Sequence, residues 1–318
     1  KGLTLVKNEN YWNGMPHLDT IYVKTITDGD TMTMAMQSGE LDAAYGLPYA
    51  SLPLFENDPY TISSCETSRS FFAQMNYAAE ALQDDNVRAA IASAIDKENF
   101  TSVLLDGNGE AAVGPFPESF TFGDTTVTAE TYDPVKAKEL LKNAGWTDTD
   151  GDGYVDKNGQ KLTIRWVTYP SRQELPLLAE SVQATMKDIG IDIQVNSTAN
   201  YQDYLDKGDW DIFAGAFVSA PTGDPEYFFT THCLDSSTKN RGGYHSDALE
   251  ALEKQMAVTF DPTERASLAT QMTQTILDDH AFVFASHLKM SMVSGKGVSG
   301  LVAHPSDYYE ITVDLDKK

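Results

Sequence analysis

The chain reads as an α/β protein with mixed sheets flanked by helices. Three observations predict this. Strand-like and helix-like patterns alternate along most of the sequence. A length of 318 residues suffices for two domains with an ample core. The composition, 41% hydrophobic and 22% charged, is that of a water-soluble globular protein. No run approaches the ~18 apolar residues that a membrane-spanning helix needs. No basic-then-apolar leader opens the chain, so Lys1 is expected to follow a processing or trimming step.

The elements follow in order. A strand is expected over 20–25, then a helix capped by Asp28 and ending near Gly39, then a short strand over 41–45. Met32, Met34 and Met36 are spaced by two, which does not put all three on one helix face, so they are expected to fill core rather than bind metal. A proline-punctuated connection over 48–59 leads to a strand over 70–76. An amphipathic helix follows, capped by Asp84 or Asp85, with Val87, Ile91, Ala94 and Ile95 on one face and an end by Gly107. Residues 114–124 form a loop. A helix from Pro134 stops at Gly145, whose freedom at positive φ suits a helix end. Then come a strand over 162–168, a helix faced by Leu178, Val182, Met186 and Ile189, a strand over 191–195, a short helix over 201–207 and a strand over 210–218. Two further helices carry Leu249, Leu252 and Met256, then Leu268, Met272 and Ile276. A strand over 282–285 precedes a tail that reads as irregular or strand-like from Val298.

The formal net charge of −24 argues against nucleic acid or an anionic membrane surface as a partner, since either would repel it. It suits a surface selected for solubility or a preference for cationic ligands. Cys65 and Cys233 lie too far apart in sequence for a zinc knuckle or a redox pair. They are either two free thiols or one long-range disulfide.

The acidic turn over 148–159 alternates carboxylates around glycine, the arrangement a hard cation such as Ca2+ requires. Counted as a calcium loop, Asp148, Asp150 and Asp152 take the first, third and fifth places, Tyr154 offers its carbonyl at the seventh and Asp156 stands at the ninth. Position twelve is Gly159, so the bidentate glutamate is missing and a modest, structural affinity is expected. An unmetallated acidic turn is the competing reading.

Several landmarks occur together in order. Asn8, Tyr11, Trp12, Gly14, Pro16, Leu18 and Asp19 stand near the start, and Gln37 to Asp42 reads QSGELD. Asp85 to Asp96 reads DNVRAAIASAID, and Asp133 to Trp146 precedes the acidic turn. Gly223-Asp224-Pro225, Gly242-Gly243-Tyr244 and the helix from Arg265 to His280 follow. This succession resembles the peptide/nickel class, family 5, of extracytoplasmic solute-binding proteins that serve ABC importers. The resemblance implies a two-lobed, periplasmic-binding-protein-like fold of type II (cluster C). It implies that residues 1–68 and 292–318 form the later part of the first lobe and 69–291 the second. In that family a long upstream segment precedes the Asn-Tyr-Trp motif, so the first lobe is expected to be incomplete. The family closes its two lobes about a hinge around the ligand.

What the resemblance implies about function is a monomeric, non-enzymatic receptor in the periplasm or lipid-anchored on the outer face of the membrane. It would capture a small solute in an interlobe cleft and deliver it to ABC permease subunits. The family places ligand-facing residues in the loop over 219–235. Dipeptide carriers hold an aspartate three residues before the aspartate of the Gly-Asp-Pro motif, and here that place is Pro221. The loop containing Pro221, Thr222 and Asp224 is closer to the nickel/metallophore branch, which favours a nickel or other transition-metal complex with a small chelator. Oligopeptides or dipeptides are the alternative. His232 is expected to offer an accessible imidazole to a chelated Ni2+, packing near a helix end being the competing reading. Tyr244 and His245, after a glycine pair, are expected either to line the cleft or to pack in the turn. Arg69, at the first crossing between lobes, is expected to receive a ligand carboxylate or to pair with one of the 47 acidic residues.

No His spacing suits an all-protein metal cage. Neither a nucleophile elbow, a P-loop nor a dinucleotide fingerprint occurs. A hydrolase with paired carboxylates and a calcium-stabilised adhesion module remain as remoter classes.

Overall fold

The computed structural model describes residues 2–318. The chain forms two compact units, one of residues 1–67 and 288–318, the other of residues 68–287. Strands β4 (Thr61–Met75) and β11 (Phe282–Ser294) each run through a division point.

The first unit opens with an antiparallel hairpin, β1 (Gly2–Val6) on β2 (Thr20–Lys24). Helix α1 (Gly29–Gln37) starts because the Asp28 carboxylate accepts the Thr31 N–H at 2.7 Å. Strand β3 (Ala43–Tyr45) pairs antiparallel with the end of β11, Ala44 opposite Val293. A 3-10 turn over Tyr49–Phe55 closes a cluster of Met36, Ala44, Leu47, Leu52, Phe55 and Val293. Met36 is buried and Met32 packs beside it, whereas Met34 is exposed, so only two of the three methionines serve the core. The tail contributes a two-residue pairing of β12 (Val298–Ser299) with β13 (Asp316–Lys317).

The second unit is built on a mixed sheet in the order β4, β10 (Ile212–Val218), β8 (Thr163–Thr168), β9 (Asp192–Ser197). Strand β10 runs antiparallel to β4 and parallel to β8, and β8 runs parallel to β9. Strand β5 (Gly109–Ala111) pairs with β11, and a small hairpin joins β6 (Asp156–Lys157) to β7 (Gln160–Lys161). Helix α2 (Asp85–Ser93) is capped by Asp84 and followed by a short α3 (Lys97–Asn99) that runs into a π turn over Phe100–Leu104. Helix α4 (Pro134–Asn143) begins at Asp133, whose carboxylate accepts from Val135 and Lys136, with Pro134 pre-set for the first turn. It ends at Gly145, which adopts φ +84°. The remaining helices are α5 (Glu174–Asp188), α6 (Tyr201–Lys207), α7 (Glu226–His232), α8 (Asp247–Met256) and α9 (Pro262–Asp278).

The core of this unit centres on Phe72. Its ring lies 5.5 Å from Phe217, 5.7 Å from Phe282, 5.9 Å from Phe284 and 6.0 Å from Phe228. The contacts with Phe228 and Phe282 are edge-to-face and that with Phe217 is stacked, geometries that add to the area buried. No helix among the described residues is long and apolar enough to cross a membrane. Cys65 and Cys233 are free thiols, which settles the two-way choice the sequence left.

Removing the ring at the centre of this cluster tests the packing directly. Phe72→Ala is expected to destabilise the second unit by about 3–5 kcal/mol, read as a lowered urea midpoint. A loss below about 1 kcal/mol would mean that the cluster collapses around the gap without cost.

Candidate functional site

The loop over 219–224 leaves the end of β10 and is fastened to the start of the second unit. Val218 stands opposite Arg69 in the β4–β10 register. The Ser219 N–H and hydroxyl both donate to the Ser68 carbonyl, at 2.7 and 2.9 Å. The Ser68 hydroxyl donates to the Ala220 carbonyl at 3.4 Å. A turn closes through the Gly223 N–H on the Ala220 carbonyl, with Gly223 at φ +80°. Its apex presents Pro221, half-buried, and Thr222, exposed. Arg69 is half-buried on the neighbouring strand. The structure therefore gathers Arg69, Pro221 and Thr222 about one strand end, the carboxyl end of β10, where α/β sheets hold their ligands.

Asp224 has a different occupation. Its carboxylate receives Arg265 through Nε at 3.0 Å and Nη2 at 2.7 Å, and caps the Glu226 N–H at 2.9 Å. Arg265 also reaches Glu226 at 2.7 Å and donates Nη1 to the Met256 and Thr259 carbonyls. This planar, forked ion pair anchors the loop on α8 and α9. Asp224 thus positions the loop through its pairing with Arg265. Beside the network, burial and the Glu226 charge push the Glu253 carboxyl up to about 7.

His232 corrects the expectation of an accessible imidazole. It is 2% exposed at the end of α7, its ring 4.7 Å from Phe217, 5.1 Å from Phe228 and 5.3 Å from Phe72. Burial, with Lys239 and Arg241 nearby, holds its pKa down to about 3, so it is a neutral packing ring. Tyr244 is likewise core: its hydroxyl donates to Asp279 at 2.6 Å and its ring packs on Tyr77. His245 is exposed and sits 3.0 Å from Asp235 and 3.5 Å from Asp247, so its pKa is raised, chiefly by the hydrogen bond to Asp235. These contacts leave Tyr244 in the turn-packing role and place His245 at the mouth of α8.

The acidic loop brings carboxylate oxygens of Asp148, Asp150 and Asp156 within 4.8 Å of one another. Asp152 departs from the expected ligand set, because Lys161 takes it at 2.9 Å. Tyr154 donates its N–H to Asp152 and carries the Lys161 ammonium 4.1 Å above its ring. Asp148 accepts from Gly151 and Gly153, Asp150 from Asp152, and Asp156 from the Thr149 N–H and hydroxyl. The loop satisfies its carboxylates with its own backbone N–H groups, the Thr149 hydroxyl and Lys161.

Three residues with clear roles escaped the sequence reading. Arg265 was seen only as the start of a helix; its partner Asp224 lies 41 residues away. Lys239 and Arg241 stand on the loop before α8, with Lys239 Nζ 4.2 Å above the Phe217 ring and the Arg241 guanidinium 5.2 Å from Phe213. Their one available signal was the Lys-x-Arg spacing in a strongly acidic chain.

Comparison with known proteins agrees with this architecture. The model of the bacterial extracellular solute-binding proteins, family 5 middle region, matches residues 1–240. The oligopeptide-binding protein AppA of Bacillus subtilis is 28% identical over 320 residues, covering 97% of this chain and 58% of AppA. The nickel-binding periplasmic protein of Escherichia coli is 26% identical over 91% of this chain and 57% of its own length. The chain therefore spans somewhat over half the length of these relatives. The solved structure of NikA from Staphylococcus aureus in complex with Ni(L-His)2 superposes with a TM-score of 0.87 at 23% identity, covering all of this chain and 66% of NikA. That likeness establishes the fold as the type II periplasmic-binding-protein α/β architecture.

The raised carboxyl of Glu253 has a signed consequence. A carboxyl whose folded pKa lies above its unfolded value of about 4.3 loses stability as pH rises through that window and carries the full penalty above about 7. Glu253→Gln is therefore expected to raise the melting temperature at pH 8 and to leave it nearly unchanged at pH 4. Equal effects at the two pH values would contradict the burial of this charge.

Proposed function

Because this chain belongs to the bacterial extracellular solute-binding proteins of family 5, we propose that it is the solute-capturing component of an ABC importer, acting outside the cytoplasm as a monomer. It is a binding protein and not an enzyme, as its relatives are. In this reading the loop over 219–224 presents the ligand-contacting apex, and permease subunits receive the loaded protein. No bond is made or broken. Affinity comes from contacts with the solute and from closure around it.

The observation that carries the ligand preference is Pro221. At the apex of the loop this residue offers an apolar ring and no carboxylate for the ammonium group of a peptide, and the nearby Asp224 is committed to Arg265. A small chelator complex of nickel or another transition metal, with no free ammonium to anchor, suits such a surface. With His232 buried in the core, the chelator itself would complete the metal's coordination. A peptide is the second reading, supported by the 28% identity to an oligopeptide-binding protein.

The acidic loop supports a separate, structural role. Asp148, Asp150 and Asp156 offer convergent hard oxygen donors, and the Tyr154 carbonyl is the candidate fourth. The fit is partial, since Asp152 is engaged by Lys161. Bound there, Ca2+ would brace the turn that leads into β8, with an affinity on the order of 0.1–1 mM.

Two experiments test these readings. Isothermal titration of the full-length protein with Ni(L-His)2, and separately with tri-alanine, is expected to give saturable binding of the nickel complex, with a Kd on the order of micromolar or tighter. Saturable binding of tri-alanine alone would replace the chelate with a peptide, and silence from both would overturn the solute-binding assignment of these ligand classes. For the loop, millimolar Ca2+ is expected to raise the melting temperature of the wild-type protein and not that of Asp148→Asn. An identical response in both proteins would remove the calcium role.

A further inference from the structure

We propose that Lys239 and Arg241, seated on the rings of Phe217 and Phe213, form a subsite that takes a carboxylate group of the bound solute. The inference rests on the solute-binding reading above and adds the chemistry of one end of the solute.

The loop that carries both cations is fixed in place. Its backbone is held by the Gln74 side chain on the Lys239 carbonyl at 3.3 Å and by the Tyr77 N–H on the Gly242 carbonyl at 2.8 Å. Gly242 lies so close to β4 that a Cβ there would run into the Met75 carbonyl oxygen. Only glycine permits that approach. The cations are then oriented by aromatic faces: Lys239 Nζ at 4.2 Å over Phe217 and the Arg241 guanidinium at 5.2 Å from Phe213. Phe213 is itself stacked on Tyr201 at 5.5 Å, and Tyr201 lies 4.9 Å from Tyr169.

What these cations lack is an acidic partner. In a chain of 47 acidic and 23 basic residues, a basic group has every opportunity to find a carboxylate. Arg165, Arg265, Lys136 and Lys161 all do so. Among the described residues, the Lys239 ammonium makes no side-chain hydrogen bond or ion pair. Arg241 makes one, through Nη2 to the Gln202 amide oxygen at 3.1 Å. The acidic group that influences Arg241 is Asp206, which acts at one remove, accepting from Gln202 at 2.7 Å. Gln202 thereby orients the guanidinium without neutralising it. Partial burial and the Arg241 charge lower the pKa of Lys239, and burial lowers that of Arg241, a cost to both cations that an arriving anion would relieve.

A planar guanidinium fork beside an ammonium is a donor set well matched to a carboxylate. Phe217 connects this pair to the candidate site, because it precedes Val218 and the 219–224 loop on β10. A patch of positive charge on a protein of net charge −24 also selects among solutes, since the remainder of the surface repels anions. The carboxylate has two sources, the C-terminus of a peptide or the amino-acid arms of a metal chelate.

Both sources can be probed with matched pairs on the full-length protein. Tri-alanine is compared with tri-alanine amide, and Ni2+ with L-histidine is compared with Ni2+ with histamine, which lacks the carboxylate. The carboxylate-bearing member of the binding pair is expected to be favoured by about tenfold or more. Lys239→Gln and Arg241→Gln are each expected to reduce that preference severalfold, and Lys239→Arg to retain it. Equal binding of both members of a pair overturns the inference while leaving the solute-binding reading intact. A variant that weakens both members equally and lowers the melting temperature also overturns it, since the cations would then serve packing alone. Failure of all four probes to bind overturns the assignment of these ligand classes and the inference with it.

Discussion

Strand β10 is the constraint on which the second unit depends. It is hydrogen-bonded on both edges to unlike neighbours, antiparallel to β4 and parallel to β8, so its register is fixed twice over. Six of its seven residues are buried. On one face Phe213 and Phe217 bracket Gly215, where an added Cβ would press on both rings. That face carries the aromatic cluster, the neutral His232 and the platform for Lys239 and Arg241. At its carboxyl end the chain turns into the 219–224 loop, tied back to Ser68. A slip of one residue in β10 would move the rings to the opposite face and displace the loop together with its anchors.

Charge is distributed with the same economy. Three acidic groups near the core are answered by a particular cation, Asp224 and Glu226 by Arg265 and Asp211 by Arg165, whereas Glu253 stays neutral over a wider pH range instead. The acidic turn answers its own carboxylates with backbone N–H groups. His232 avoids the problem by remaining uncharged, as its burial beneath two cations requires. Against this background a solute-binding surface is recognisable by what the protein leaves uncompensated, not by the count of polar groups it contains.

Much of the fold was legible in the sequence because it is locally encoded. Asp28 caps the helix it was expected to cap, Asp84 is the one of two candidates that caps α2, and the helix over 201–207 has the expected bounds. Elements set by tertiary contact were less legible. Strand β4 begins at Thr61, nine residues before the expected start, because its first half alternates polar and small residues that give little apolar signal. Strand β11 continues to Ser294 for the same reason, with Ser286, His287, Lys289 and Ser291 interrupting the pattern. Helix α7 was hidden by its seven-residue length and its adjacent Phe228 and Phe229, which fit a strand as well. The candidate loop containing Pro221 and Thr222 could be singled out from its motif, since the motif is contiguous. The burial of His232 and the Asp224–Arg265 pair could not, because each depends on residues brought together from distant parts of the chain.

The most direct test of this account is amide hydrogen exchange on the full-length protein with and without Ni(L-His)2. Added protection is expected at 219–223 and 239–243, with Phe228 to His232 already protected in the free protein and unchanged on binding. Protection confined to the acidic turn over 148–156, with none at the β10 loop, would contradict the central claim that the carboxyl end of β10 organises the solute site.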